Sequence, residues 1–180
     1  MKISRLVVLA LICIGTTTQA QPTAFGSFKA EDQEIKFQKV LTQDSITVAK
    51  LEAFYKTQSF ISNLSATGDG LTFDMNDIVV DFKKFQFRQM DVPTLIQTGK
   101  YSGKVTVNVR DGRYRVLITA IQVTGDAGYK KITSKENLTN FACLKSGTVM
   151  NPDWCKPNQL GLLEQMFTDK LQFVQKKDDW

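Results

Sequence analysis

The 180-residue chain predicts an α+β fold, a curved antiparallel sheet with two main helices packed on one face. Three observations carry that prediction. Two strand-like runs, Lys100 to Arg110 and Arg113 to Gly125, meet at Asp111-Gly112, a dipeptide that accepts the positive φ angles of a two-residue type I′ turn. Apolar residues recur at helical spacing in one early stretch and again near the C-terminus. The order strand, helix, several strands, helix segregates the helices to one side of the sheet.

Met1 to Arg5 form a basic start, Leu6 to Gly15 an apolar stretch, and Thr18-Gln19-Ala20 a small-x-small site before Gln21. This is the pattern of a signal peptide cleaved after Ala20. The apolar stretch is too short for a bilayer, and no later run approaches the roughly 18 consecutive apolar residues of a transmembrane helix. The mature chain is therefore expected to be exported, to the periplasm or the cell surface, with no transmembrane segment. Cys13 leaves with the signal, and Ile12 ahead of it is not the small residue that a lipidation site requires. Residues 21–33, with Pro22 and Gly26, read as a flexible leader, and 34–177 as one α+β domain.

From Glu34 to Leu41, Ile35, Phe37 and Lys39 alternate with Lys36, Gln38 and Val40, the period of a half-buried strand. Asp44 or Ser45 is placed to cap a helix from about Ile46 to Phe60. Ile61 to Thr67 and Leu71 to Met75 read as strands joined by Gly68-Asp69-Gly70. Ile78, Val80 and Phe82 alternate cleanly, and after Lys83-Lys84 the apolar phase shifts to Phe85 and Phe87, which predicts a bulge or bend. Asp91-Val92-Pro93 opens a loop to about Gly99.

In the central hairpin the turn sets the register. Val109 faces Tyr114, Val107 faces Val116 and Val105 faces Ile118, all apolar. On the other face Arg110 meets Arg113, Asn108 meets Arg115 and Thr106 meets Leu117. A slip of one residue would expose the whole valine row, so the register is well specified. Asp126 to Pro157 is weakly patterned, with a short helix expected around Glu136 to Leu144. Pro157-Asn158 starts the final helix, in which Leu160, Leu163, Phe167, Leu171 and Val174 share a stripe flanked by Leu162, Met166 and Phe173, and Lys176-Lys177 suits its C-terminus.

Val109-Arg110-Asp111-Gly112-Arg113-Tyr114-Arg115 resembles the hairpin of domain-of-unknown-function family 4468, a secreted bacterial family with a TATA-binding-protein-like (TBP-like) fold. Phe37 to Phe60, a strand feeding an Asp-Ser-capped helix, is similar to the start of that domain. The resemblance spans about residues 34 to 124 and extends through the last helix to 177. It implies the fold and an export habit, and it brings no established activity or functional residues with it.

Composition narrows the chemistry. The chain has no histidine, which removes the Ser-His-Asp and Cys-His devices and the His-ligated zinc sites. Its 23 basic residues against 18 acidic ones make it mildly basic, a balance too slight to imply nucleic acid. Phe82-Lys83-Lys84-Phe85-Gln86-Phe87-Arg88 interleaves aromatics with bases but lacks the glycines of an RNA-recognition motif. Asp74, Asn76 and Asp77 lack the central glycine and final glutamate of an EF-hand loop. No cofactor or metal site is expected. Cys143 and Cys155, the two cysteines of the mature chain, are expected to pair in an oxidising compartment.

The candidate binding residues lie on the polar hairpin face: Arg110, Arg113 and Arg115 at one end, with Asn108 among them and Lys104 nearer the base. Like charges placed opposite one another repel, and such a cluster suits an anionic partner. The functional expectation is an exported, non-catalytic binding or assembly module of the bacterial envelope. Its partner would be an anionic envelope component or another protein, and not nucleic acid. Two alternatives stand beside it: a histidine-free hydrolase using carboxylates drawn from Asp74, Asp77, Asp81 and Asp91, and a purely structural module.

Overall fold

A computed structural model describes residues 22–174. The expected signal peptide and cleavage site, Cys13, and the expected end of the last helix at Lys176-Lys177 lie outside the described residues. The elements in chain order are β1 (Ala24–Phe25), β2 (Phe28–Glu31), β3 (Glu34–Thr42), α1 (Val48–Lys56), β4 (Ile61–Thr67), β5 (Gly70–Val79), α2 (Thr94–Thr98), β6 (Lys100–Arg110), β7 (Arg113–Asp126), β8 (Lys131–Asn137), α3 (Thr139–Ala142), β9 (Cys143–Leu144), β10 (Val149–Met150) and α4 (Leu160–Leu171).

Eight strands form one antiparallel sheet, seven of them in the order β1-β2-β3-β7-β6-β5-β4 and the eighth, β8, paired with β7 off that path. The long strand β7 is its spine. β6 runs along one edge of it, while the opposite edge is shared by β3, paired over Arg113 to Ile118, and β8, paired over Gln122 to Asp126. Where these partners change, the chain bulges: Ala120 takes a φ of 48° and donates its N–H to the Glu34 carboxylate. Register shifts in the β4–β5, β5–β6, β6–β7 and β7–β8 pairings bend the sheet locally, as bulges do. β9 and β10 make a separate two-stranded ribbon.

Both principal helices cover the same sheet face. On α4, Phe167 sits 5.4 Å from Phe37 and 6.1 Å from Phe28, ring centre to ring centre. On α1, Tyr55 meets Phe73 of β5 at 4.8 Å. Two buried tyrosines then anchor the end of α4. The Tyr55 hydroxyl donates to the Leu171 carbonyl at 2.7 Å, and the Tyr114 hydroxyl donates to the same oxygen at 3.3 Å while accepting from the Phe173 N–H at 2.6 Å. This is the fold class that the sequence predicts, an α+β antiparallel sheet with two helices on one face.

The hairpin register is as the turn dictates. Asp111 and Gly112 have φ of 47° and 71°, and Val109 pairs Tyr114, Val107 pairs Val116, Val105 pairs Ile118, Asn108 pairs Arg115 and Arg110 pairs Arg113. The expected strands at Glu34 and at Ile61 form with nearly the expected bounds, while the one expected over Leu71 to Met75 runs from Gly70 to Val79 and takes in Ile78.

Several expectations are corrected. Residues 21–33, read as a flexible leader, include the β1–β2 hairpin, which adds two strands to the sheet. Phe28 is fully buried between Phe37 and Phe167, so one aromatic side chain docks an otherwise polar segment. The first helix is shorter than expected. Thr47, and not Asp44 or Ser45, caps it, its hydroxyl accepting from the Lys50 N–H, because Ser45 has a left-handed backbone. The bend expected after Lys83-Lys84 is a full turn, with Asp81 accepting from the Lys84 N–H and Phe87 N–H bonded to the Phe82 carbonyl, so the alternation of Ile78, Val80 and Phe82 does not carry a strand past Val79. The 126–157 connection holds strand β8 and a one-turn helix at 139–142, shorter than expected. The last helix ends at Leu171, and Val174 is exposed instead of on its stripe.

The disulfide is also corrected: Cys143 and Cys155 are free thiols. The segment between them is ordered by other means. The Asn151 side chain donates to the Phe141 carbonyl, its backbone N–H to the Ala142 carbonyl, and the Met150 N–H to the Pro22 carbonyl. Cys143 itself is buried opposite Met150 in the ribbon.

Candidate functional site

The outward face of the β6–β7 hairpin carries the expected basic residues, and the neighbouring strands turn that face into a site. β3 lies beside β7 in a register that sets Val40 next to Arg115 and Thr42 next to Arg113. The β4–β5 turn lies beside β6, where the Val109 N–H donates to the Asp69 carbonyl at 2.9 Å. The result is a cavity of about 680 Å³ that includes Asn108, Arg110, Arg113 and Arg115 with Val40 and Asp69 in its lining. The Gln43 N–H bonds the Gly112 carbonyl at 2.9 Å, which ties the turn at its mouth to the end of β3.

Within this cavity the side chains are unequal. An Arg115 guanidinium nitrogen donates to the Asn108 side-chain oxygen at 3.1 Å, a contact that orients Arg115 without neutralising it. Arg110 reaches Asp111 at 3.3 Å, but both side chains are open to water, 85% and 74% exposed, so the pair is heavily screened. Among the described residues Arg113 makes no ion pair. The lining thus holds three arginines and one acidic residue, Asp69, with Asp111 outside it on the turn, and the excess is positive. Guanidinium groups recognise carboxylate and phosphate oxygens through paired N–H donors, so the arrangement suits an anionic group.

The fifth expected residue, Lys104, does not join the cluster. It lies opposite Asp74 of β5, in a separate cavity of about 290 Å³. Val40 and Asp69 were not legible as site residues, because their roles depend on which strands lie beside the hairpin.

The carboxylates of the hydrolase alternative are each engaged locally. Asp74 accepts from the Asn63 side chain at 2.7 Å, Asp77 accepts from the Ser102 hydroxyl at 3.3 Å, Asp81 caps the turn at Lys84, and Asp91 is gripped by Arg88 through two bonds of 2.7 and 3.1 Å. That last hydrogen-bonded pairing holds the Asp91 carboxyl below its ordinary range. No group of three His, Cys, Asp or Glu side chains suited to a metal ion occurs among the described residues. None of the described helices is long and apolar enough to cross a membrane.

The fold and the hairpin define an antiparallel α+β module with a basic rim at one end of its sheet. Among solved structures the chain is similar to a DUF4468 family protein from Bacteroides ovatus, with 12% identity and a TM-score of 0.42, covering 81% of this chain and 84% of that one. It is also similar to a TBP-like protein from Parabacteroides distasonis, with 13% identity and a TM-score of 0.44, covering 78% of this chain and 92% of that one. These names are those of the family and the fold that the hairpin sequence resembles. No family model matches the chain, and no curated protein does.

Proposed function

We propose that the protein is an exported, non-catalytic binding module of the bacterial envelope that engages an anionic partner through the turn end of the β6–β7 hairpin. The observation that carries this reading is the convergence of Arg110, Arg113 and Arg115 on one cavity with an excess of positive charge. The signal-peptide pattern of residues 1–20 supports the compartment. The absence of histidine from the chain leaves fewer ways to build a catalytic centre, and an open sheet face needs none.

The test is binding of the mature chain to phosphatidylglycerol vesicles, with phosphatidylcholine vesicles as the uncharged comparison. At low salt the chain should bind the anionic vesicles, and R110Q/R113Q/R115Q should lose that binding while keeping its circular dichroism spectrum. Those side chains point away from the valine row, so their replacement opens no cavity. Added salt should weaken the wild-type interaction, because exposed charges are screened beyond about 10 Å at 0.1 M ionic strength. A triple variant that binds as well as wild type at low salt overturns the proposal, as does wild type that fails to prefer the anionic vesicles.

A further inference from the structure

The other end of β7 carries a site of opposite character. Here the turn between β7 and β8, the start of α2, helix α3 and the segment leading into α4 meet around a cavity of about 340 Å³, within the size range of small-ligand sites. Three aromatic side chains contribute to it: Tyr129, Phe141 and Trp154. Phe141 and Trp154 lie 6.3 Å apart with their planes inclined by 43°. Tyr129, on the turn, is 81% exposed. A tyrosine held in water at a cavity rim adds little to the core.

The rest of the lining is uncharged. Thr94, Asn140 and Gln159 supply hydrogen-bonding groups, and no lining residue of this cavity carries a charge. The Gln159 amide nitrogen donates to the Asp153 carbonyl at 2.6 Å, which fixes the side chain and leaves its oxygen as an acceptor. Asn140 is exposed and also borders a second cavity of about 410 Å³, where Gln33, Asn137 and Ser146 add further amide and hydroxyl groups. An aromatic cavity thus opens beside a mostly polar one, whose lining also holds Lys145, with Asn140 between them.

We infer that this paired cavity is a binding site for an uncharged saccharide. A sugar ring is apolar across its C–H face and polar around its rim. The face packs on aromatic rings, and the rim hydroxyls donate and accept at once, as the amides of Asn140 and Gln159 require. An extended proline-rich peptide also favours aromatic grooves, but its regularly available polar groups are carbonyl acceptors, which leaves the side-chain oxygens of Asn140 and Gln159 without donors. A charged ligand has no counter-charge in the aromatic cavity, and the one charged residue lining the other, Lys145, is exposed to water, which screens it.

The chain has two tryptophans, so W180F makes Trp154 the sole indole reporter. In that background, fluorescence titration with cellobiose, maltose and chitobiose should give a saturable change for at least one of them. Y129A and N140A should weaken that binding at least fivefold, a free-energy loss of about 1 kcal/mol, with unchanged circular dichroism. W154F keeps an aromatic ring at the Phe141 contact, and NMR chemical-shift titration of it should still report binding. R110Q/R113Q/R115Q should bind the sugar normally, which separates this site from the basic one. No saturable response to any of the three disaccharides overturns the inference. So does a Y129A/N140A double variant that binds as wild type does, or saturation by oligoproline in place of the sugars.

Discussion

Glu164 shows how one side chain joins distant parts of the chain. It projects from α4 to accept from the Ser27 hydroxyl at 2.7 Å and the Ser27 N–H at 3.2 Å, and it pairs with Lys39 at 3.1 Å. Burial pushes its carboxyl up, but the hydrogen bonds from Ser27 and Lys39 outweigh that and hold it below its ordinary value. A carboxyl depressed by folding contributes stability that is present above its unfolded pKa and lost as pH falls through the folded one. Denaturation of wild type should therefore become easier as the solution is acidified below about pH 4.5. E164Q should be less stable than wild type at neutral pH by about 1–3 kcal/mol, and its stability should fall less on acidification. Equal acid dependence in the two proteins would show that Glu164 contributes no such linkage.

The two thiols differ in a way that labelling can read. Burial, with a smaller push from the neighbouring Cys155 sulfur, raises Cys143 to about 11, and burial also raises Cys155. Cys155 is the more accessible of the two. Because the thiolate is the reactive form, iodoacetamide should modify Cys155 before Cys143 in the folded chain, and both rates should climb with pH. Unfolded, unreduced protein should take up label at both positions, as peptide mass mapping would record. Labelling only after a reductant is added would contradict the free-thiol state.

At the scale of the elements, two glycines separate backbone strain from steric contact. Gly112 sits at φ 71° with nothing within 4 Å of where a Cβ would lie, so G112A meets only the left-handed backbone penalty, about 1–2 kcal/mol. Gly70 opens β5, where an added Cβ would come within 2.2 Å of the Val107 carbonyl oxygen. G70A must push β5 away from β6, and its denaturant midpoint should fall further than that of G112A. The reverse order would mean that the β5–β6 contact yields more easily than the turn.

Periodicity located the hairpin and α4 because each presents a long apolar row with a turn or start signal at its end. It missed β8, in which Ile132 is the one fully buried side chain, and it missed β1–β2, where burial is concentrated in Phe28. A single anchoring residue has no period. The arginine cluster was legible because turn chemistry alone sets its register. Its other wall was not, since Val40 and Asp69 arrive through strand adjacencies that one sequence does not display.

For the molecule as a whole, α4 is the larger of the two helical covers of the sheet. Leu160, Leu162, Leu163, Met166, Phe167 and Leu171 are all buried, and each such side chain contributes about 1.5–3 kcal/mol on leaving water. Their total is comparable with the entire 5–15 kcal/mol stability of an ordinary domain. A chain ending at Asn158 should therefore lose cooperative unfolding and bind the dye ANS. A truncated chain that unfolds with a sharp transition would show that the sheet stands without its cover.

The tie between Ser27 and Glu164 spans 137 positions, and it joins an early hairpin to the latest helix. Every strand of the sheet is made before α4, the helix that covers the larger part of its apolar face. Contacts across such separations are reached slowly, since loop closure must precede them. The nascent chain thus carries its own delay: it stays open and accessible to whatever escorts it until its closing helix has been synthesised.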